Sequence, residues 1–325
     1  MNNIYQEIGQ RTGGNIYIGV VGPVRTGKST LVKRFIENLV LPHIDDPYLS
    51  ERTKDELPQC GSGRTIMTSE PKFVPEEAIE LPAENGLKVR IRLIDSVGYM
   101  VPGAVGAEED GSPRMVTTPW FDHEIPMSQA AHLGTQKVMQ EHCSVGIVVT
   151  TDGSISDIPR NDYEEAEDRA ILDMKATGKP FLVVINSARP DSSEAEKVKS
   201  HIREKYHLEP VVADCQSLDE EEIRQLLHQL LYTFPMRRLL VHFPRWLDAL
   251  EENHPLKPHY TNHCWKPLPK SPLLGKAVQL WSSCAVTNLC QTPAYQPSIW
   301  APGTSVVGCI FRINCTIKFS VTRPV

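Results

Sequence analysis

The chain has no run of eighteen or more apolar residues, so it contains no stretch suited to crossing a bilayer as a helix. Its start shows no charged segment followed by an apolar one, and the sequence predicts a soluble, cytoplasmic protein. Acidic residues are missing altogether after Glu252. Residues 1–252 hold all 40 Asp and Glu and 27 of the 34 Lys and Arg, a balance of −13, whereas residues 253–325 carry +7. An acidic main body excludes broad nucleic-acid binding, because a phosphate backbone needs a positive footprint. Cysteines are scarce in the first part (Cys60, Cys143, Cys215) and crowded in the second (Cys264, Cys284, Cys290, Cys309, Cys315). Those five contain no Cys-x-x-Cys pair and are odd in number, which argues against a zinc or disulfide module in a reducing compartment. At 325 residues there is room for two ordinary domains.

What is present is concentrated at Asn15 to Thr30. An apolar run of strand length, Ile16 to Val21, leads into Gly22-Pro-Val-Arg-Thr-Gly-Lys-Ser29, and a helical pattern with Leu31, Val32 and Phe35 follows. This is G-x-x-x-x-G-K-[ST] between a strand and a helix, the context that a phosphate-binding loop requires. Glycine at 22 and 27 leaves room for the turn and the phosphates, Lys28 would reach the β- and γ-phosphates, and Ser29 would ligand Mg²⁺. The helix start adds free N–H groups and its dipole.

The rest of the main body alternates strands and helices. Ser29 to Leu39 reads as a helix stopped by Pro42, and residues 43–75 read as a long loop without helical periodicity. Leu87 to Asp95 alternates apolar and basic residues as a strand, and 99–125 reads as a Gly- and Pro-rich insertion. Helices are expected over 126–142, 161–177, 192–206 and 218–232, with strands at Ser144 to Thr151, Phe181 to Ile185 and Val211 to Ala213. Residues 236–254 look like a last strand and the start of a helix. Strands apolar throughout their length predict an α/β fold of the P-loop NTPase type, a mostly parallel sheet with helices on both faces. The phosphate loop and Asp95 then fall at the carboxyl ends of strands, where such sheets bind ligands.

Asp95-Ser-Val-Gly98 supplies the second half of the site. The carboxylate would hold Mg²⁺ through a water, and the Gly98 N–H would reach the γ-phosphate. A threonine of the intervening loop, Thr68 in preference to Thr65, would complete the metal shell, with Ser69 beside it. The candidates are thus Lys28, Thr68 and Asp95 for catalysis and Ser29, Thr68 and Asp95 for the metal. Gly22, Arg25, Thr26, Gly27, Lys28, Ser29, Thr30, Gly98 and Asn186 are the candidates for holding the nucleotide. Two departures from a GTP-binding protein matter. The base-reading segment is Asn186-Ser-Ala-Arg189, and Arg189 cannot accept the two guanine N–H donors that an Asp would. ATP is therefore favoured. Tyr99 stands where a Gln often orients the attacking water, so hydrolysis is expected to be slow or assisted, with Arg25 a possible source of charge.

Several segments resemble the stage IV sporulation protein A family. They are Arg11 to Thr30, Arg64-Thr-Ile-Met-Thr-Ser-Glu-Pro-Lys-Phe-Val-Pro75, Ile94-Asp-Ser-Val-Gly-Tyr-Met-Val-Pro-Gly103, Gly111 to Trp120 and Glu141 to Asp157. The resemblance covers roughly residues 5–255. It implies a morphogenetic ATPase of translation-factor GTPase lineage that uses ATP and Mg²⁺ and hydrolyses ATP to drive self-assembly. The resulting polymer would cover the outer forespore surface in the mother-cell cytoplasm as the base layer of the spore coat. Implied partners are further copies of the chain, other coat proteins and membrane-surface anchors. The alternative is a regulatory GTPase acting on a protein or the ribosome; a phosphotransferase lacks any acceptor-site motif.

The family's chain is longer than this one. Residues 1–235 are expected to form the ATPase domain and 236–260 the start of a truncated middle domain. From Thr261 the sequence leaves the family pattern, and 261–325 is expected to be an irregular or disordered tail, out of frame with the rest. On this reading the chain binds ATP but is impaired in assembly.

Overall fold

The structure, a computed structural model, describes residues 14–59, 70–82, 88–106, 108–109, 112–234, 238–242, 251, 294–299, 305–310 and 316–320. Two compact units can be distinguished, one of Asn15–Pro82 with Lys88–Leu227, the other of the remaining residues.

In the first unit the strands of the main sheet are β1 (Asn15–Val21), β2 (Lys72–Pro82), β3 (Lys88–Asp95), β4 (Val145–Thr151), β5 (Phe181–Asn186) and β6 (Val211–Ala213). They form one sheet in the order β6-β5-β4-β1-β3-β2. All neighbours are parallel except β2, an antiparallel edge strand on β3. Every residue of β4 and β5 is buried, which fits their apolar runs Val145–Val149 and Phe181–Ile185: both faces of a central parallel strand are covered. The expected α/β sheet is thus the observed one.

The helices are α1 (Lys28–Phe35), α2 (Pro47–Asp55), α3 (Met127–Lys137), α4 (Arg160–Ala176), α5 (Ser193–Tyr206) and α6 (Glu220–Tyr232). Their limits follow local signals. In α4, Tyr163, Ala166, Glu167, Ala170, Ile171 and Met174 repeat at helical spacing and are buried. Ser192 caps α5 by accepting from the Ala195 N–H, and Asp219 and Glu222 exchange reciprocal bonds at the start of α6. Both α1 and α3 run on into one π-helical turn, Ile36–Val40 and Val138–His142.

Two expectations need correction. The stretch 43–75 is not loop throughout, since it contains α2 and the start of β2. Helix α2 is fixed by its ends rather than by a buried stripe: Asp46 accepts from the Tyr48 N–H, Pro47 occupies the first turn, and Thr53 alone is buried. Strand β2 carries Pro75 and Pro82, which only an edge strand tolerates.

The second correction concerns the tail, expected to be irregular or disordered. Three strands of the tail, β8 (Ala294–Ile299), β9 (Ser305–Ile310) and β10 (Thr316–Ser320), form an antiparallel sheet with β7 (Arg238–His242), which lies in the segment 236–254 where a last strand is expected; the order is β7-β10-β9-β8. Short stretches such as Thr316-Ile-Lys-Phe-Ser320 alternate polar and apolar residues and suit a strand, although they are too brief to set a sustained period.

Candidate functional site

Strand β1 ends at Val21 and α1 begins at Lys28, so Gly22 to Gly27 must turn the chain within six residues. Gly27 takes φ 89° and accepts the first helical bond from the Leu31 N–H at 2.9 Å. A Cβ there would lie 2.1 Å from Asn186 Nδ2, so the position is closed to other residues on both counts. No side chain caps α1, and its first turn holds no acidic residue. The N–H groups that open this helix are therefore not taken up by a cap or a carboxylate of the helix's own, as suits an anion site.

A hydrogen-bond ladder ties the loop to the segment after β3. The Ser96 N–H donates to Val20 O (3.2 Å), the Tyr99 N–H to Gly22 O (3.0 Å) and the Val24 N–H to Tyr99 O (2.8 Å). The parallel β1–β3 pairing therefore continues into the site and brings Asp95-Ser-Val-Gly98 alongside Gly22 to Ser29. Ser29 Oγ donates to Asp95 Oδ2 at 2.6 Å, joining the two predicted metal-binding groups directly. Asp95 Oδ1 is buried and has no hydrogen-bond partner among the described residues. Lys28 Nζ donates to Pro23 O at 2.6 Å, and Thr26 Oγ1 to the same carbonyl at 2.9 Å.

These charges sit out of water. Burial pushes the Lys28 ammonium down to about 8; Asp95 pulls it back up and Arg25 lowers it further. Burial pushes the Asp95 carboxyl up to about 6, against the Ser29 hydrogen bond and the charges of Lys28 and Lys72. Both groups lack full compensation within the protein, and a bound anion and cation would supply it from opposite sides.

The predicted residues divide into three groups. Gly22, Gly27, Lys28, Ser29, Asp95 and Gly98 are brought together. Arg25 lies close enough to influence Lys28 and adopts φ 62°, with its carbonyl accepting from Tyr163 Oη at 3.4 Å; Thr30 lies half-buried in the first turn of α1. Thr65, Thr68 and Ser69 lie outside the described residues, although Lys72, four residues after Thr68, pairs with Asp95 across β2 and β3. Asn186 reaches the loop rather than open space: its Nδ2 donates to Thr26 O and its Oδ1 accepts from the Cys215 N–H, both at 3.0 Å. The neighbouring Ser187 is buried, with its hydroxyl donating to Asp152 Oδ2 at 2.6 Å, while Arg189 is exposed.

Sequence reasoning missed Thr135, whose hydroxyl oxygen accepts the Gly98 N–H at 3.1 Å. It also missed Asp173, which accepts from Tyr99 Oη at 2.5 Å. Both partners sit in helices far along the chain, and no local signal marks them.

Residues 1–235 match the family model described as the ATPase domain of stage IV sporulation protein A. The chain belongs to this family. It is 49% identical over 258 residues to stage IV sporulation protein A of Bacillus subtilis (strain 168), covering 79% of this chain and 52% of that one. The corresponding protein of Bacillus anthracis is 46% identical over 258 residues, with the same coverage. That of Clostridioides difficile (strain 630) is 46% identical over 256 residues, covering 79% and 52%. The chain thus spans about half the length of the stage IV sporulation protein A relatives it matches. Residues 1–235 thus correspond to the ATPase domain of this family, with a P-loop fold. No helix among the described residues is long and apolar enough to cross a membrane.

Proposed function

We propose that Gly22 to Ser29, Asp95 and Gly98 bind ATP with Mg²⁺ and hydrolyse it slowly. The observation that carries this reading is the meeting of Ser29 Oγ and Asp95 Oδ2 at 2.6 Å beside the buried Lys28. A hydroxyl and a carboxylate with one buried oxygen still unpartnered are the hard oxygen donors that suit Mg²⁺, so the residues fit the ion. Ser29 would hold it directly and Asp95 through a water. When bound, the ion would offset phosphate charge. Lys28 draws the phosphates into the loop, and Gly98 contributes its N–H. The Tyr99 side chain is committed to Asp173, so it does not orient the attacking water, and slow turnover follows.

The choice of ATP rests on Arg189, which offers no acceptor to guanine, together with family membership. In the same reading, hydrolysis in the whole protein drives self-assembly at the outer forespore surface as the coat's base layer, in the mother-cell cytoplasm with other coat proteins. Parallel ATP and GTP hydrolysis assays on the purified chain and on Lys28→Ala test the site. Phosphate release from ATP should exceed that from GTP and disappear in the variant; a strong GTP preference would overturn the reading. Filaments that sediment only with ATP would support the assembly reading.

A further inference from the structure

Gly98 has one backbone N–H, and in this structure that N–H is already engaged. It donates to Oγ1 of Thr135, a fully buried residue two turns into α3. The Gly98 backbone also lies directly on the phosphate loop. A Cβ at this position would fall 2.4 Å from Gly22 O and 2.5 Å from Lys28 Nζ. The amide therefore stands beside the ammonium that would meet the phosphates, with a protein oxygen as its acceptor.

Thr135 does not act from an isolated helix. A Cβ at its neighbour Gly134 would lie 3.2 Å from Pro71 Cγ and Cδ and from Trp120 Cη2. One turn earlier, His132 meets the Tyr99 ring edge-on at 5.4 Å. One helix thus lies against Pro71, three residues after Thr68, against Tyr99, and against Gly98 itself.

We propose that Thr135 Oγ1 and the γ-phosphate of ATP are alternative acceptors for the Gly98 N–H, so that α3 registers which nucleotide is bound. The inference rests on the reading of the loop as an ATP site. A single N–H makes one well-aligned hydrogen bond, and its transfer to a phosphate oxygen frees Thr135. ADP brings no γ-phosphate and leaves the Gly98–Thr135 bond in place. Thr135 is a positioning residue: it biases the amide and does not touch the substrate.

Thr135→Val keeps the shape and removes the acceptor. The buried N–H is then unpaired in the empty and ADP-bound states but satisfied with ATP. By titration calorimetry with the β,γ-imido analogue of ATP and with ADP, the variant should raise the affinity ratio in favour of the analogue about 5- to 30-fold. ADP affinity should be unchanged, and Thr135→Ser, which retains the hydroxyl, should behave as the unaltered chain. An unchanged ratio, or equal weakening of both ligands, overturns the exchange. Failure of the unaltered chain to bind the analogue overturns the nucleotide reading itself and the exchange with it. Should Thr135→Val not fold, ¹⁵N-glycine spectra of the unaltered chain decide. The Gly98 amide resonance should differ between the analogue-bound and ADP-bound states, and identical resonances would overturn the proposal.

Discussion

Asn186 is the residue whose removal best separates two ways of building this site. Its amide joins Thr26 O of the phosphate loop to the Cys215 N–H beyond β6, through two buried hydrogen bonds of 3.0 Å. Asn186→Ala leaves a carbonyl and an N–H buried without partners. At about 1–3 kcal/mol for each, the domain should lose roughly 2–6 kcal/mol. For a domain of this size that corresponds to a fall of about 4–24 °C in thermal midpoint.

The effect on binding is the sharper test. If Asn186 holds the loop, its loss should weaken anything the loop grips, whether or not a base is attached. Inorganic tripolyphosphate and ATP should lose affinity by the same factor, on the order of tenfold for each 1.4 kcal/mol of disturbance passed to the loop. Isothermal titration of both ligands into the unaltered and variant chains measures this. Unchanged tripolyphosphate affinity alongside weakened ATP, or an altered ATP-to-GTP ratio, would show that Asn186 meets the base and would refute the reasoning. Asn186→Asp adds a control. Its carboxylate still accepts from Cys215 but repels Thr26 O, so stability should partly recover while the loop stays loose.

Gly27→Ala should abolish ATP binding, measured by the same titration, because its Cβ would lie 2.1 Å from Asn186 Nδ2 at a φ of 89°. Tyr99→Phe should cost about 1–3 kcal/mol through loss of the bond to Asp173 and leave kcat within a few-fold. A hundredfold fall in kcat at unchanged stability would place the phenol at the phosphates instead. Burial opposes ionisation of Asp168, but hydrogen bonds from Lys205 and Tyr206 outweigh it and hold the carboxyl below its ordinary value of 3.8. A lowered carboxyl pKa stabilises the fold above the unfolded value and loses that contribution as pH falls through the folded one. Asp168→Asn should therefore melt lower at pH 7 and pH 5, by about 1 kcal/mol for so exposed a pair, and match the unaltered chain in strong acid.

The parts of this protein that were legible in its sequence are those fixed by neighbours in the chain. Strand, glycines, Lys28 and Ser29 are contiguous, and β3 announces itself by alternation because Ile91 and Leu93 are buried whereas Arg92 lies over Phe73 at 4.1 Å. Asp95 could be placed because it ends that strand. Helix α2 was illegible because it buries only Thr53 and so leaves no stripe to count. Strand β2 was hidden by its prolines and exists through pairing with a strand that follows it. Asn186 could be picked out by its position at the end of β5, but only the tertiary fold brings Thr26 and Cys215 to its amide. Thr135, 37 positions from Gly98, carries no mark in the sequence at all.

Position 99 shows why the architecture and the chemistry should be argued together. A residue there could serve hydrolysis only if its side chain were free to turn toward the phosphates. The Tyr99 backbone is held at both ends by the loop, through Gly22 O and the Val24 N–H. Its phenol points to Asp173 on α4, and burial together with that carboxylate raises its pKa far above the ordinary tyrosine value. The phenol therefore stays protonated and remains a donor to Asp173 at any physiological pH, unavailable as a base. On the proposed ATPase reading, Tyr99 strengthens the cradle and leaves the water unattended, so binding and turnover would be set by different residues. A group that positions water would then come from elsewhere, and supplying it would accelerate hydrolysis without any change to the cradle itself.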